Sequence, residues 1–292
     1  MLMHIAEKTM DQADGLRRMI HPRPVKVIAV TGGKGGVGKT NVSVNLSIAL
    51  AQKKMNVMLM DADFGLANVD VLLGLSSRKN ISHVISGECS LEEIAVSGPA
   101  GLRIIPSASG NNSMLNLTTL QHGGMIRAFS ELTHDVDVLL VDTAAGITES
   151  VVTYARAAHE VIVVVCNEPA SLTDAYALIK VLHRYHGVYR FHVLANMTSS
   201  AWEGRDLFGK LSRVAQQYLD VSLNYMGAIP QDDYLRKAVQ RQQAVVEAYP
   251  RSSSSIAFGK LAKKADAWPL PEAAKGQMEF FIERLIKTNN VA

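Results

Sequence analysis

Short apolar runs recur along the chain, separated by mixed stretches with helical spacing. Val27-Ile28-Ala29-Val30-Thr31, Val57-Met58-Leu59-Met60, Leu102-Arg103-Ile104-Ile105, Val138-Leu139-Leu140-Val141, Val161 to Cys166 and Phe191-His192-Val193-Leu194-Ala195 are short and almost continuously apolar. Such runs read as strands of a parallel sheet buried on both faces. Between them, Asn41 to Gln52 reads as a helix, and a second helix runs to about Tyr185 with Ser171 or Thr173 as its cap. Ser252-Ser253-Ser254-Ser255 opens a further helix that ends near Trp268. Leu115 to Leu132 is also helix-like, although Gly123-Gly124 inside it predicts a break or close packing. Residues 74–100 mix turn formers with brief apolar stretches and suggest no chemistry, and Ser107 to Met114 reads as a polar loop. The alternation predicts one α/β domain over residues 25–270, with an appendage at 1–24 and a tether plus helix at 271–292.

The first strand runs straight into Gly32-Gly33-Lys34-Gly35-Gly36-Val37-Gly38-Lys39-Thr40, and Asn41 opens the helix behind it. Strand, glycine loop and helix form the context of a phosphate-binding loop. Its backbone N–H groups can turn inward, and the helix N-terminus adds partial positive charge. Lys39 is placed to reach the β- and γ-phosphates, and the Thr40 hydroxyl to ligate Mg²⁺.

Two further strand ends carry carboxylates. Asp61-Ala62-Asp63 ends the second run, and Asp142 ends Val138-Leu139-Leu140-Val141 in the arrangement of a Walker B strand. The C-terminal ends of strands are where α/β folds hold ligands, and ionised aspartates there serve a metal shell or an attacking water. Gly146, after Asp142, can approach a γ-phosphate closely because it has no side chain. Asn196 ends the run from Phe191 and offers both a donor and an acceptor to a base edge, with Gly227-Ala228-Ile229-Pro230-Gln231-Asp232 flanking it. No NKxD-type guanine motif is present, which favours ATP/ADP over guanine nucleotides.

Composition narrows the class. A net charge of +3 and 6% aromatic residues are too small to suggest direct nucleic-acid binding. Cys89 and Cys166 stand alone, so neither a disulfide framework nor an iron–sulfur cluster is expected. His183, His186 and His192 lack metal-ligand spacing and read as surface or packing residues. Charged residues interrupt the N-terminus and no apolar run approaches a membrane span, so a cytoplasmic protein is expected.

Lys34, just after the opening glycines, resembles the signature lysine of the deviant Walker A ATPases. Asp11-Gln12-Ala13-Asp14-Gly15-Leu16-Arg17-Arg18 resembles the DQAxxLR motif of the flagellar number regulators, the FlhG/FleN branch of the MinD-type ATPases, and Leu66-Ala67-Asn68-Val69-Asp70 matches the same branch. That resemblance implies a doubly wound α/β fold with a mostly parallel sheet. It also implies an ATP-sandwich homodimer in which Lys34 reaches the partner's nucleotide. Asp63 is then the residue that orients the hydrolytic water, Asp61 supports the Mg²⁺ shell, and Asn196 contacts adenine. Asp11, Gln12, Leu16 and Arg17 would stimulate an FlhF-type GTPase. A flagellar master transcription activator and the flagellar switch (C-ring) protein are the other implied partners. Lys180, His183 and Arg184 offer a basic helix face for regulatory partners. A MinD-type cell-division regulator and a ParA-type DNA-segregation ATPase are the rival functions.

Met278, Phe281, Ile282, Leu285 and Ile286 fall on one face of a terminal helix behind Glu272 to Gly276. The pattern resembles a MinD-type membrane-targeting sequence and equally fits a terminal helix docked to complete the core. Only Arg284 and Lys287 offer cationic anchors, so one copy should attach weakly and an ATP dimer more firmly. ATP-dependent peripheral association with the inner membrane or cell pole is the corresponding expectation.

Overall fold

The computed structural model describes residues 24–63, 68–107, 128 and 136–270. Its strands are β1 (Lys26–Thr31), β2 (Val57–Ala62), β3 (Val96–Ser97), β4 (Arg103–Ile105), β5 (Val138–Thr143), β6 (Glu160–Val165), β7 (Arg190–Thr198) and β8 (Ser222–Pro230). They form one sheet in the order β3-β4-β2-β5-β1-β6-β7-β8, parallel throughout except for the β3–β4 pair. The helices are α1 (Lys39–Ala51), α2 (Val69–Leu73), α3 (Ile81–Ile85), α4 (Leu91–Ile94), α5 (Glu149–Ala157), α6 (Pro169–His186), α7 (Ala201–Tyr218), α8 (Asp233–Gln240), α9 (Val245–Ala248) and α10 (Ser253–Asp266).

Alternate residues of each strand face opposite layers, which explains the uninterrupted apolar runs. In β1, Ile28 and Val30 pack toward α1 and α10, whereas Val27 and Ala29 pack on the other side among residues of α3, α4 and α5. Val161, Val163 and Val165 of β6 meet α6 and α7. Helices on both faces make the sheet doubly wound, as expected.

Several local expectations need correction. Neither Ser171 nor Thr173 caps α6, because the helix starts at Pro169, whose fixed φ suits a first helical position. The buried Ser171 hydroxyl accepts the backbone N–H of Cys166, and Thr173 donates back to the Pro169 carbonyl. Residues 74–100 hold α3, α4 and the edge strand β3. The basic face of α6 is only partly free: the His183 ring packs edge-on to Tyr189, and Arg184 donates to the Tyr218 carbonyl. Asp11, Gln12, Leu16 and Arg17, Leu66 and Ala67 of the branch-matching stretch, residues 115–127 and 129–132 of the expected helix, and Met278, Phe281, Ile282, Leu285 and Ile286 lie outside the described residues. Among the described residues no helix is long and apolar enough to cross a membrane.

The end of the sheet where the strands begin is closed by charge. Buried Lys26 donates from Nζ to the carbonyls of Ala265, Asp266 and Trp268, at 2.8 to 3.1 Å, and so caps the end of α10. Glu160 accepts from Arg190 at 2.6 Å and pairs with His192 at 2.8 Å, and the His192 ring stacks on Trp268.

Candidate nucleotide site

The opposite end, at the C-terminal ends of β1, β2 and β5, carries the predicted chemistry. Gly32 to Gly38 joins β1 to α1, and Gly38 takes φ +86° at the position preceding α1. A side chain there would be strained and would strike the Asn196 amide. At Gly33 a Cβ would overlap the α6 backbone at Asp174 and Ala175, so only glycine lets that helix approach. The Gly146 N–H donates to the Gly32 carbonyl at 3.1 Å, tying the turn after β5 to the loop.

A cleft of about 820 Å³ opens above this loop. Gly35, Gly36, Gly38, Lys39, Thr40 and Asp63 line it together. Burial lowers the Lys39 pKa, opposed by Asp142 and Asp63 beside it. β2 and β5 are in register so that Asp61 sits opposite Asp142. Burial raises Asp61 to about 7, with repulsion from Asp142 adding to it. Asp142 is pushed up to about 6 by burial, against hydrogen bonds from Ser43 and Thr40 and attraction from Lys39. Ser43 Oγ donates to Asp142 at 2.7 Å from one helical turn beyond Lys39.

Thr40 lines the cleft and hydrogen-bonds Asp142, which is buried behind it. Asp61 accepts the backbone N–H groups of Asp63, Asn68 and Val69 at 3.0 to 3.2 Å, which ties Asp63 to the start of α2. Among the described residues no cluster of three His, Cys, Asp or Glu side chains could hold a metal ion alone. A cation here fits only with a hydroxyl such as Thr40 and ligand oxygens completing its shell.

A second pocket of about 230 Å³ adjoins the cleft and brings Asn196, Pro230 and Gln231 together beside Gly38 and Asn41. Asn196 Nδ2 donates to the Val37 carbonyl at 2.8 Å, so this residue also steadies the loop. Asn41 Oδ1 is buried without a partner where the two cavities meet, an acceptor suited to a ligand donor. Together the two cavities leave room for a nucleotide beside the glycine loop.

Lys34, next to the cleft-lining Gly35, pairs with Glu168, the residue preceding α6, which raises its pKa. Sequence reasoning missed Glu168, Ser43, Arg236 and Phe258. Of these only Ser43 carried a signal, its helical spacing from Lys39. Asp232 was missed as a brace. Although partly buried, it is held at about 2 by bonds from Ser254, Tyr234 and Ser253, tying α8 to α10.

Residues 24–266 match the ParA family model, described as NUBPL iron-transfer P-loop NTPase. The antiactivator FleN of Pseudomonas aeruginosa is 58% identical, over 93% of this chain and 97% of that protein. The flagellum site-determining protein YlxH of Helicobacter pylori is 34% identical, over 90% of each chain. The septum site-determining protein MinD of Pyrococcus horikoshii, solved with Mg-ADP, shares the fold with a TM-score of 0.63 at 24% identity, covering 83% of this chain and 96% of that one. The chain belongs to the ParA/MinD-type P-loop NTPases, for which ATP hydrolysis is the expected activity, in the branch represented by FleN and YlxH.

Proposed function

We propose that this protein is an ATP-driven switch that sets the number or placement of flagella. FleN and YlxH, by their names an antiactivator and a flagellum site-determining protein, support the flagellar part. The observation that carries the switch is the rim of the cleft. Val71, Met197 and Val239 line the cleft yet are 59%, 46% and 36% exposed. An apolar rim around a charged, glycine-walled cleft suits a face that a second copy covers.

ATP with Mg²⁺ is the proposed ligand, and the cation would neutralise charge developing on the phosphates when bound. Lys39 and the loop N–H groups hold the β- and γ-phosphates. Thr40 and Asp142 keep the cation shell, Asp61 fixes the loop that carries Asp63, and Asp63 orients the attacking water. Lys34 leaves Glu168 and crosses to the partner's nucleotide. Asn196, Pro230 and Gln231 face the base.

In this reading Asp11, Gln12, Leu16 and Arg17 stimulate an FlhF-type GTPase, and the dimer restrains a flagellar master transcription activator and meets the flagellar switch protein. Met278, Phe281, Ile282, Leu285 and Ile286 attach a cytoplasmic protein to the inner membrane or cell pole when two copies join. Deleting the gene in its host and counting flagella tests the biological role. Extra or misplaced flagella with normal septa are expected; minicells with unchanged flagella would reject it. A peptide of residues 1–24 should raise the GTP turnover of the partner GTPase, and an unchanged rate would remove that partner.

A further inference from the structure

Beyond the nucleotide cavities, α8 and α9 enclose a cleft of about 360 Å³ walled by Tyr234, Tyr249, Pro250 and Arg251. The Tyr234 and Tyr249 rings meet at 4.9 Å between centroids, tilted by 48°. Lys237 Nζ stands 5.3 Å from the centre of the Tyr234 ring, and the Arg241 guanidinium 5.8 Å from that of Tyr249. Tyr234 is 50% exposed, and Lys237, Arg241 and Arg251 are exposed around it. Nothing in the nucleotide reading uses these residues.

Two tyrosines beside a proline offer rigid apolar area that loses little entropy on contact, the composition of aromatic-lined peptide grooves. The cations on the rim complement carboxylates, and an arginine can take one with two parallel hydrogen bonds. Nucleic acid fits this cleft less well. The two tilted rings and Pro250 form a slot for one side chain rather than a platform on which successive bases could stack. The acidic side chains of Asp233 and Glu247 on the same stretch also interrupt a continuous phosphate track.

We propose that this cleft docks an acidic peptide segment of a partner protein. A proline or aromatic side chain of that segment enters the slot formed by Tyr234, Tyr249 and Pro250, and its carboxylates meet Lys237, Arg241 and Arg251. Tyr234 and Lys237 flank Leu235 and Arg236, which line the smaller pocket beside Asn196, and Arg241 lies between Gln240 and Gln242, which line the nucleotide cleft, so this face adjoins the rim where a second copy is proposed to sit.

The test is to pan a phage-displayed random peptide library on the full-length protein and measure the recovered peptides by fluorescence polarisation. Peptides rich in aspartate and glutamate around a proline or aromatic residue are expected. Their affinity should fall about tenfold or more in Tyr234→Ala and in Arg241→Glu, and should weaken as salt rises. Lys237→Glu, on an exposed side chain, gives the same reading if either variant melts early. Recovered peptides without acidic enrichment, or peptides that bind all three variants as tightly as the parent, would overturn the proposal. So would an oligo-dT probe that binds the parent, displaces the peptides and loses affinity in Arg241→Glu, since that assigns the face to nucleic acid.

Discussion

The two ends of the sheet treat buried charge in opposite ways. Where the strands begin, Lys26 has three carbonyl acceptors, and Glu160 has both Arg190 and His192. Where the strands end, Asp61 and Asp142 oppose each other with raised pKa values, and the buried side-chain oxygens of Asn41 and Thr31 have no partner. One end is complete within the chain and stabilises it. The other leaves polar capacity that a charged ligand can complete, at a cost in stability when empty.

Substitutions can break this contrast from either side. The largest effect should come from Lys39→Ala, which removes the phosphate-facing cation. Hydrolysis should fall on the order of 100-fold or more, while thermal melting of the nucleotide-free protein stays close to the parent. Lys26→Met should act in the opposite sense. Stranding carbonyls at the end of α10 should lower stability by about 2–3 kcal/mol in urea titrations, yet leave nucleotide affinity unchanged.

Asp142→Asn sharpens the comparison through pH. A carboxyl whose folded pKa is raised binds protons more tightly in the folded than in the unfolded chain, so stability falls as pH climbs from about 4 toward 7. Melting temperature of the nucleotide-free parent should therefore carry a declining component across that window from Asp61 and Asp142. Asp142→Asn should reduce the decline and be more stable than the parent near pH 8, by about 1 kcal/mol, while losing Mg²⁺-dependent hydrolysis. A pH profile identical to the parent's would remove buried carboxylate repulsion from the account. The smallest effect should be that of Asp232→Ala. It removes the α8 cap and the brace to α10 and should cost about 1 kcal/mol at neutral pH. Because the folded pKa of Asp232 is depressed, that difference should shrink as pH falls from about 4 toward 2, measured by urea unfolding at each pH.

Much of this was legible in the chain. Runs such as Val138-Leu139-Leu140-Val141 announce strands because both faces of a parallel sheet are buried, and Gly33 to Thr40 announces its loop because phosphate binding demands that spacing. What escaped was decided by distant pairing. Phe258 reaches the smaller pocket beside Asn196 from α10, and Asp232 holds α8 to α10 across some twenty intervening residues. The start of α6 was misplaced because the hydroxyls of Ser171 and Thr173 suggested a cap, although Pro169 already marked the first turn. The N–H groups of Asn68 and Val69 that Asp61 accepts come from a stretch whose approach no spacing announced.

The most direct test is the mass of Asp63→Ala by light scattering with Mg-ATP and with Mg-ADP. Trapped before hydrolysis, the variant should double its mass with ATP and remain a monomer with ADP. A monomer in both nucleotides, or the same dimer in both, would contradict an ATP-driven switch built on this cleft.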